Sequence, residues 1–220
     1  KYYEEKRKYY YSLLENNTSS QGTFDKFFVL QAINELRHIV SSPELDNNKI
    51  ISSKKEVLIE NVIEAIENDH KVLIFVNYLS SIESICNSLK ENKIKFLKMT
   101  GQTKDRQSLV DKFQSDNRYK VFVMTLKTGG VGLNLVSADT IFIYDPWWNK
   151  TVENQAIDRA YRLGQDKTVF AYKMIMRNTI EEKILKLQEI KDKLLDDLIS
   201  EDNLSTKNLS KNDIEFILGN

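Results

Sequence analysis

Val72-Leu73-Ile74-Phe75-Val76 is an unbroken apolar run, and Val121-Phe122-Val123-Met124-Thr125 is its counterpart further along the chain. A strand with one wet face alternates apolar and polar residues. A run without alternation marks a strand covered on both faces, the condition of a parallel sheet. Lys95 to Met99, Thr140-Ile141-Phe142-Ile143-Tyr144 and Thr168 to Ile175 read as three more strands. Helical patterns separate them. Leu58, Val62 and Ile66 share one helix face, as do Ile82, Ile85, Cys86 and Leu89, and Leu109, Val110 and Phe113. Strands alternating with helices predict a three-layer α/β/α fold, with ligand loops at the carboxyl ends of the strands.

Helix starts are marked by side chains that can satisfy free backbone amides. Ser53-Lys54-Lys55-Glu56, Ser80-Ser81-Ile82-Glu83 and Thr179-Ile180-Glu181-Glu182 read as capping boxes, and Thr103 as the cap of a further helix. Outward from the alternating region, residues 1–16 and 24–40 read as helices, the second with Phe28, Ala32, Leu36 and Ile39 or Val40 at helical spacing. The Thr179 box opens a long helix through Ile184, Leu187, Ile190, Leu194 and Leu198, and a short helix spans 210–218. The expected organisation is a helical segment over 1–48, the α/β lobe over 49–178 and closing helices over 179–220. The opening Lys1-Tyr2-Tyr3-Glu4-Glu5-Lys6 is mid-helix in character, as in a piece of a longer protein.

Of 220 residues, 32 are Lys or Arg and 32 are Asp or Glu, so the net charge is zero and only a local basic stripe can speak for nucleic acid. The single cysteine, Cys86, excludes a disulfide framework and a cysteine metal site and fits a reducing compartment. His38 and His70 lie far apart in sequence, and no metal-ligand cluster is readable. No apolar run is long enough to span a bilayer.

The loops after the strands carry the unusual chemistry. Leu126-Lys127-Thr128-Gly129-Gly130-Val131-Gly132 lets the backbone approach a phosphate or ribose closely, or simply makes a tight turn. Thr100-Gly101-Gln102-Thr103, before Lys104-Asp105-Arg106, reads as a phosphate-favouring helix start or as an ordinary capped one. Asp145-Pro146-Trp147-Trp148-Asn149 offers one tryptophan to the core and another as a stacking surface, or both to the core. In Gln155-Ala156-Ile157-Asp158-Arg159-Ala160-Tyr161-Arg162-Leu163-Gly164-Gln165, a helix sets Gln155, Arg159 and Arg162 on one face. Two adjacent guanidiniums make either a phosphate clamp or a solvated face balanced by Asp158. No G-x-x-x-x-G-K-[ST] loop is present to hold nucleotide phosphates, so the arginines make half of a nucleotide site.

Together these motifs resemble the second RecA-like lobe of the Swi/Snf-type ATPases of helicase superfamily two. Lys71 to Tyr78 looks like motif IV, Thr100 to Arg106 like the phosphate-contacting turn after it, and Leu126 to Leu135 like motif V. Tyr144 to Asn149 resembles the tryptophan signature, Gln155 to Gln165 motif VI, and Thr179 to Leu195 the brace helix. Two departures stand out: Val40-Ser41-Ser42-Pro43 replaces a Cys-x-His-Pro element, and Tyr161 stands where motif VI usually has histidine.

The resemblance implies a RecA-like lobe with a helical insertion and brace, part of an ATP-dependent double-stranded DNA translocase. ATP would lie between this lobe and a first lobe that holds the phosphate-binding lysine and Mg2+. Arg159 and Arg162 would be catalytic, reaching the γ-phosphate. Gln155, Gly130 and Gly132 would place the nucleotide, and Asn77, Gly101, Thr103, Thr125, Lys127 and Trp148 would hold DNA. No metal ligand is implied on this chain. The implied partners are duplex DNA, the first lobe, and RNA polymerase or another DNA-bound protein; no membrane is implied. The implied location is intracellular, in cytoplasm, nucleoid or nucleus. By itself the chain is expected to be inactive. The competing readings are a degenerate lobe that binds DNA or protein, and a superfamily-two motor acting on RNA.

Overall fold

The computed structural model describes residues 1–16, 26–47, 49–129, 132–147, 150–162 and 164–190. Gly130 and Trp148, the later part of the closing helix with Leu194 and Leu198, and the helix expected over 210–218 lie outside them. The chain forms two compact units, one from Ser52 to Ile175 and one combining residues up to Ile51 with those from Met176 onward.

The Ser52–Ile175 unit is built on a five-stranded parallel sheet. Its strands are β1 (Val72–Val76), β2 (Phe96–Met99), β3 (Val121–Thr125), β4 (Thr140–Ile143) and β5 (Phe170–Lys173), in the order β2-β3-β1-β4-β5. β1 pairs in parallel with β3 on one side and β4 on the other, so Val72 stands between Val121 and Thr140. The five β1 residues are all fully buried. Alternate residues serve opposite faces, as strand geometry requires. Val72, Ile74 and Val76 pack with Leu58 and Val62 of α4 (Ser53–Glu67) and Ile82, Ile85 and Leu89 of α5 (Leu79–Glu91). Leu73 and Phe75 pack with Val110 and Phe113 of α6 (Arg106–Ser115) and Ala156 of α8 (Lys150–Ile157). A short α7 (Leu126–Gly129) follows β3. The continuous apolar strands thus report helices on both faces, as expected.

The caps differ from expectation by small shifts. Ser52, not Ser53, caps α4: its backbone is extended and its hydroxyl accepts from Lys55 N at 3.3 Å. The same hydroxyl lies 3.4 Å from the Tyr144 hydroxyl, a long-range partner that distinguishes the two serines. α5 starts after Tyr78 without a side-chain cap hydrogen bond, so its cap position lies two residues ahead of the expected Ser80; Ser81 is buried and Glu83 pairs with Lys98. Asp105 caps α6, accepting from Ser108 N at 3.1 Å, while the Thr103 hydroxyl accepts from Thr100 N instead.

The other unit contains α1 (Tyr2–Asn16), α2 (Lys26–Ser41), α3 (Pro43–Asp46) and α9 (Ile180–Ile190). α2 packs against α1 and α9 and buries Ala32, Leu36, Ile39 and Val40. Ser41, Ser42 and Pro43, which stand in the departed Cys-x-His-Pro element, are buried. At the start of α9 the Thr179 hydroxyl accepts from Glu181 N at 3.3 Å, and the Glu182 carboxylate accepts from Asn178 N at 2.9 Å. The capping logic holds, with each bond displaced by one residue from the ideal box. Tyr3 adds a second tie, its hydroxyl accepting from Ile180 N at 2.6 Å.

At the amino ends of the strands, charges fasten the sheet. Lys71 Nζ donates to the last-turn carbonyls of Phe113 and Gln114 of α6. Asp139 is buried and accepts from Lys71 N at 3.2 Å and Lys167 Nζ at 3.1 Å, and His70 Nδ1 lies 3.1 Å from its carboxylate. Burial alone would raise its pKa, but hydrogen bonds from His70 and Lys167, and their charges, outweigh it and leave the pKa below the ordinary carboxylate value. A carboxylate whose folded pKa is depressed stabilises the fold above its unfolded pKa and loses that contribution as pH falls through the folded one. Wild type is therefore expected to lose stability on acidification below the ordinary aspartate pKa. Asp139→Asn should be less stable at neutral pH and lose less over the same acid span, as read from denaturant midpoints.

Candidate functional site

β1 leads away toward β2, whereas β4 leads the opposite way toward β5. Their loops diverge at the carboxyl ends and open the crevice where parallel sheets place ligands. Asn77 and Asp145 meet there: Asn77 N donates to Asp145 Oδ2 at 3.0 Å, and Asn77 Nδ2 to the Asp145 carbonyl at 2.5 Å. Asp145 is buried, and these bonds join the two loops across the sheet.

Beside this clamp lies a cleft of about 270 Å³ lined by Asn77, Gly101, Arg106, Thr125, Leu126, Lys127 and Thr128. It brings together four of the residues expected to hold nucleic acid: Asn77, Gly101, Thr125 and Lys127. Thr103 is not among its lining residues; its hydroxyl holds the Thr100 amide at 3.0 Å and shapes that loop. The Thr125 and Thr128 hydroxyls are 2.7 Å apart, and Thr128 N donates to Thr125 Oγ1 at 3.3 Å. Arg106 has no site role by resemblance, yet it lines the cleft. Its Nε donates to Thr103 O at 3.3 Å and its Nη2 to Gly101 O at 3.1 Å, so it both braces the loop and adds a cation to the lining. Hydroxyls, an amide and two cations, with no carboxylate in the lining, suit an anion such as a phosphate diester.

Two glycines of the loop after β3 have different reasons to be glycine. A Cβ on Gly129 would lie 2.3 Å from the Phe75 ring, so its absence lets the loop lie on the central strand. Gly132 has φ +52° and open space around it, so its backbone conformation is what favours glycine.

The arginine stretch departs from a single continuous helix. α8 ends at Ile157, and Arg159 N and Ala160 N bond three residues back, to Ala156 O at 3.3 Å and Ile157 O at 3.1 Å. The Arg159 carbonyl is taken by Leu135 N at 3.0 Å, a long-range bond that draws the chain out of helical register while Ala160 enters the core. The expected i, i+4, i+7 alignment of Gln155, Arg159 and Arg162 therefore does not apply. Gln155 and Arg162 are exposed and Arg159 is half-buried. Burial lowers the Arg159 pKa, the Arg162 charge lowers it further and Asp158 opposes both. Arg159 Nε is buried and has no hydrogen-bond partner among the described residues, a donor that an incoming anion would satisfy. Gln165 is structural: its Nε2 donates to the carbonyls of Val136 at 2.8 Å and Ala138 at 2.7 Å.

Trp147 packs, partly buried, against the core on the α6 and α8 side of the sheet. Its backbone N donates to Oε1 of Glu153 at 2.6 Å, and Glu153 also pairs with Lys173 of β5. Nothing in the sequence singled out Glu153, because a lone carboxylate on a helix reads as solvent-facing. Among the described residues no three His, Cys, Asp or Glu side chains converge to hold a metal ion. Among them, too, no helix is long and apolar enough to cross a membrane.

A doubly covered parallel sheet with a polar, cation-lined cleft among the loops at its carboxyl edge defines the class. Residues 53–164 match the helicase conserved C-terminal domain. An uncharacterized ATP-dependent helicase of Mycoplasma pneumoniae is 39% identical over 179 residues, 80% of this chain and 17% of the relative. The Sulfolobus solfataricus SWI2/SNF2 ATPase C-terminal domain superposes with a TM-score of 0.74 at 27% identity, covering 98% of this chain and 90% of that one. The SWI2/SNF2 ATPase core from the same organism, solved in complex with dsDNA, gives 0.76 at 28% identity, covering 98% of this chain and 46% of that one. This chain belongs to the helicase conserved C-terminal domain family, in its Swi2/Snf2 branch, and its sheet is the RecA-like sheet of that lobe. It spans 17% to 23% of the length of four curated relatives.

Gly129→Ala is expected to force the Phe75 ring aside and destabilise the lobe by roughly 1–3 kcal/mol, the usual range for overpacking. A denaturant midpoint unchanged from wild type would mean that the ring yields freely.

Proposed function

We propose that this chain is the second motor lobe of an ATP-driven translocase on double-stranded DNA. The observation that carries the reading is Arg159: a half-buried guanidinium with an unsatisfied Nε, kept beside the like charge of Arg162. A fold tolerates that arrangement when an anion relieves it. ATP is the anion proposed, bound between this lobe and a first lobe, with its γ-phosphoryl group as the reacting centre. Arg159 and Arg162 offset the charge that develops there, and Gln155, Gly130 and Gly132 help to place the nucleotide. Mg2+ is proposed to accompany the ATP, held mainly by the first lobe.

The cleft is proposed to hold one DNA strand by its phosphates through Gly101, Thr125, Lys127 and Arg106, with Asn77 and Thr103 fixing the loops and Trp148 adding a contact. The solved relative in complex with dsDNA supports that choice of ligand. Contacts to phosphate carry little sequence information and respond to salt. Residues 49–178 would act as the lobe, 1–48 as a helical insertion and 179–220 as its brace. The work of the whole protein would fall on DNA or on proteins bound to it, inside the cell.

The test uses a form of the protein that contains both lobes. Hydrolysis of ATP should be stimulated by duplex DNA, and more than by duplex RNA. Arg162→Ala should lower the stimulated rate by roughly 10³–10⁵, the range for an arginine finger, with ATP affinity largely kept. An equal loss of affinity would mean that the arginine binds the ground state instead. Lys127→Ala should weaken DNA binding alike across sequences and reduce the slope of log K against log salt by about 1. An unchanged slope would remove Lys127 from the phosphate contacts.

A further inference from the structure

We infer that Glu153 is a positioning residue: it fixes the Asp145–Trp147 loop onto the helix that leads into the arginines. Glu153 lies in the first turn of α8 and has no solvent exposure at all. Burying a carboxylate costs several kcal/mol unless it is both paired and hydrogen-bonded. Both conditions are met here, each by a different element. Lys173, the last residue of β5, supplies the cation, and the Trp147 backbone supplies the N–H at 2.6 Å.

The N–H that Glu153 holds is the first one after Pro146, which has none of its own. One carboxylate therefore ties the loop after β4, the start of α8 and the end of β5 together. The neighbouring fastenings extend the tie in both directions. Asp145, two residues before Trp147, is clamped to Asn77 at the cleft. Four residues past Glu153 α8 ends, and the Arg159 carbonyl is then anchored by Leu135 N. The run from cleft to arginines is thus held at Asn77, Glu153 and Leu135, and Glu153 is the middle point. Its loss frees the tryptophan loop from the helix while leaving the cleft residues and both arginines chemically intact.

The inference rests on the reading of Arg159 and Arg162 as nucleotide ligands, and its test separates the two. Trp147 and Trp148 are the only tryptophans of the chain, so tryptophan emission, excited at the red edge where its tyrosines do not absorb, reports this loop alone. Two double variants remove the buried ion pair equally but differ in the acceptor: Glu153→Gln/Lys173→Met keeps an oxygen for the Trp147 N–H, and Glu153→Ala/Lys173→Met does not. In the two-lobe protein the alanine variant should lose roughly ten- to hundredfold in kcat, the scale of a small misplacement of reacting groups. KM for ATP should stay within about twofold. In the chain itself its emission should shift to the red and be quenched more readily by acrylamide. The glutamine variant should recover the wild-type emission and most of kcat. If the alanine variant does not fold, Glu153→Asp replaces it, keeping the charge while drawing the oxygen back from Trp147. Equal kcat and equal emission in the two variants would overturn the inference, because a purely stabilising ion pair treats them alike. If wild type shows no DNA-stimulated hydrolysis, the functional reading fails, and the emission comparison still decides whether Glu153 holds the loop.

Discussion

β1 has no free edge and no wet face, and the rest of the lobe follows from that. Its backbone groups are paired with β3 on one side and β4 on the other, and its side chains are enclosed by helices above and below. Parallel neighbours in such a sheet lie about 4.8 Å apart, so the segments leaving their carboxyl ends have to share one small region. Asn77 can reach Asp145, and Thr125 can stand beside Asn77, because β1 fixes the strands that carry them. The packing of Gly129 on the Phe75 ring is the same constraint at closest approach, since any side chain there would collide with the central strand.

The zero net charge conceals a segregated distribution. At the carboxyl ends of the strands the carboxylates of Asp145 and Glu153 are turned inward, onto Asn77, the Trp147 amide and Lys173. The cations there, Arg106 and Lys127, line the cleft. At the amino ends the arrangement is reversed: a single buried carboxylate, Asp139, gathers His70 and Lys167. One end of the sheet is suited to meet anions, and the other consumes its charges in holding itself closed.

Much of this was legible in the sequence because burial writes a simple signal. Val72 to Val76 and Val121 to Met124 admit no polar residue, and a parallel sheet is the arrangement that requires it. The loop motifs were legible for a related reason, since glycines and hydroxyls cluster where the chain turns sharply at the strand ends, as Gly129 against Phe75 and Thr128 against Thr125 do. What could not be read was decided by partners distant in sequence. Ser52 and Ser53 are alike locally, and it is the Tyr144 hydroxyl near Ser52 that separates them. The arginine stretch has a helical pattern, but the Leu135 amide takes the Arg159 carbonyl and ends the regularity early. Glu153 is the extreme case. Its charge predicts water, and only the three-dimensional meeting of Trp147 and Lys173 makes it an interior residue.

The strand order also constrains how the lobe can be assembled. β1 is the first of these five strands in chain order, yet it does not pair with β2, the next. Val72 waits for Val121 on one side and for Thr140 on the other. Until both arrive, the most apolar segment of the sheet has only its flanking helices, α4 and α5, for cover. Contacts of such long sequence separation slow folding, because loop closure precedes any gain from pairing. The strand that gives the finished lobe its solidity is thereby the nascent chain's greatest exposure to misassociation during synthesis.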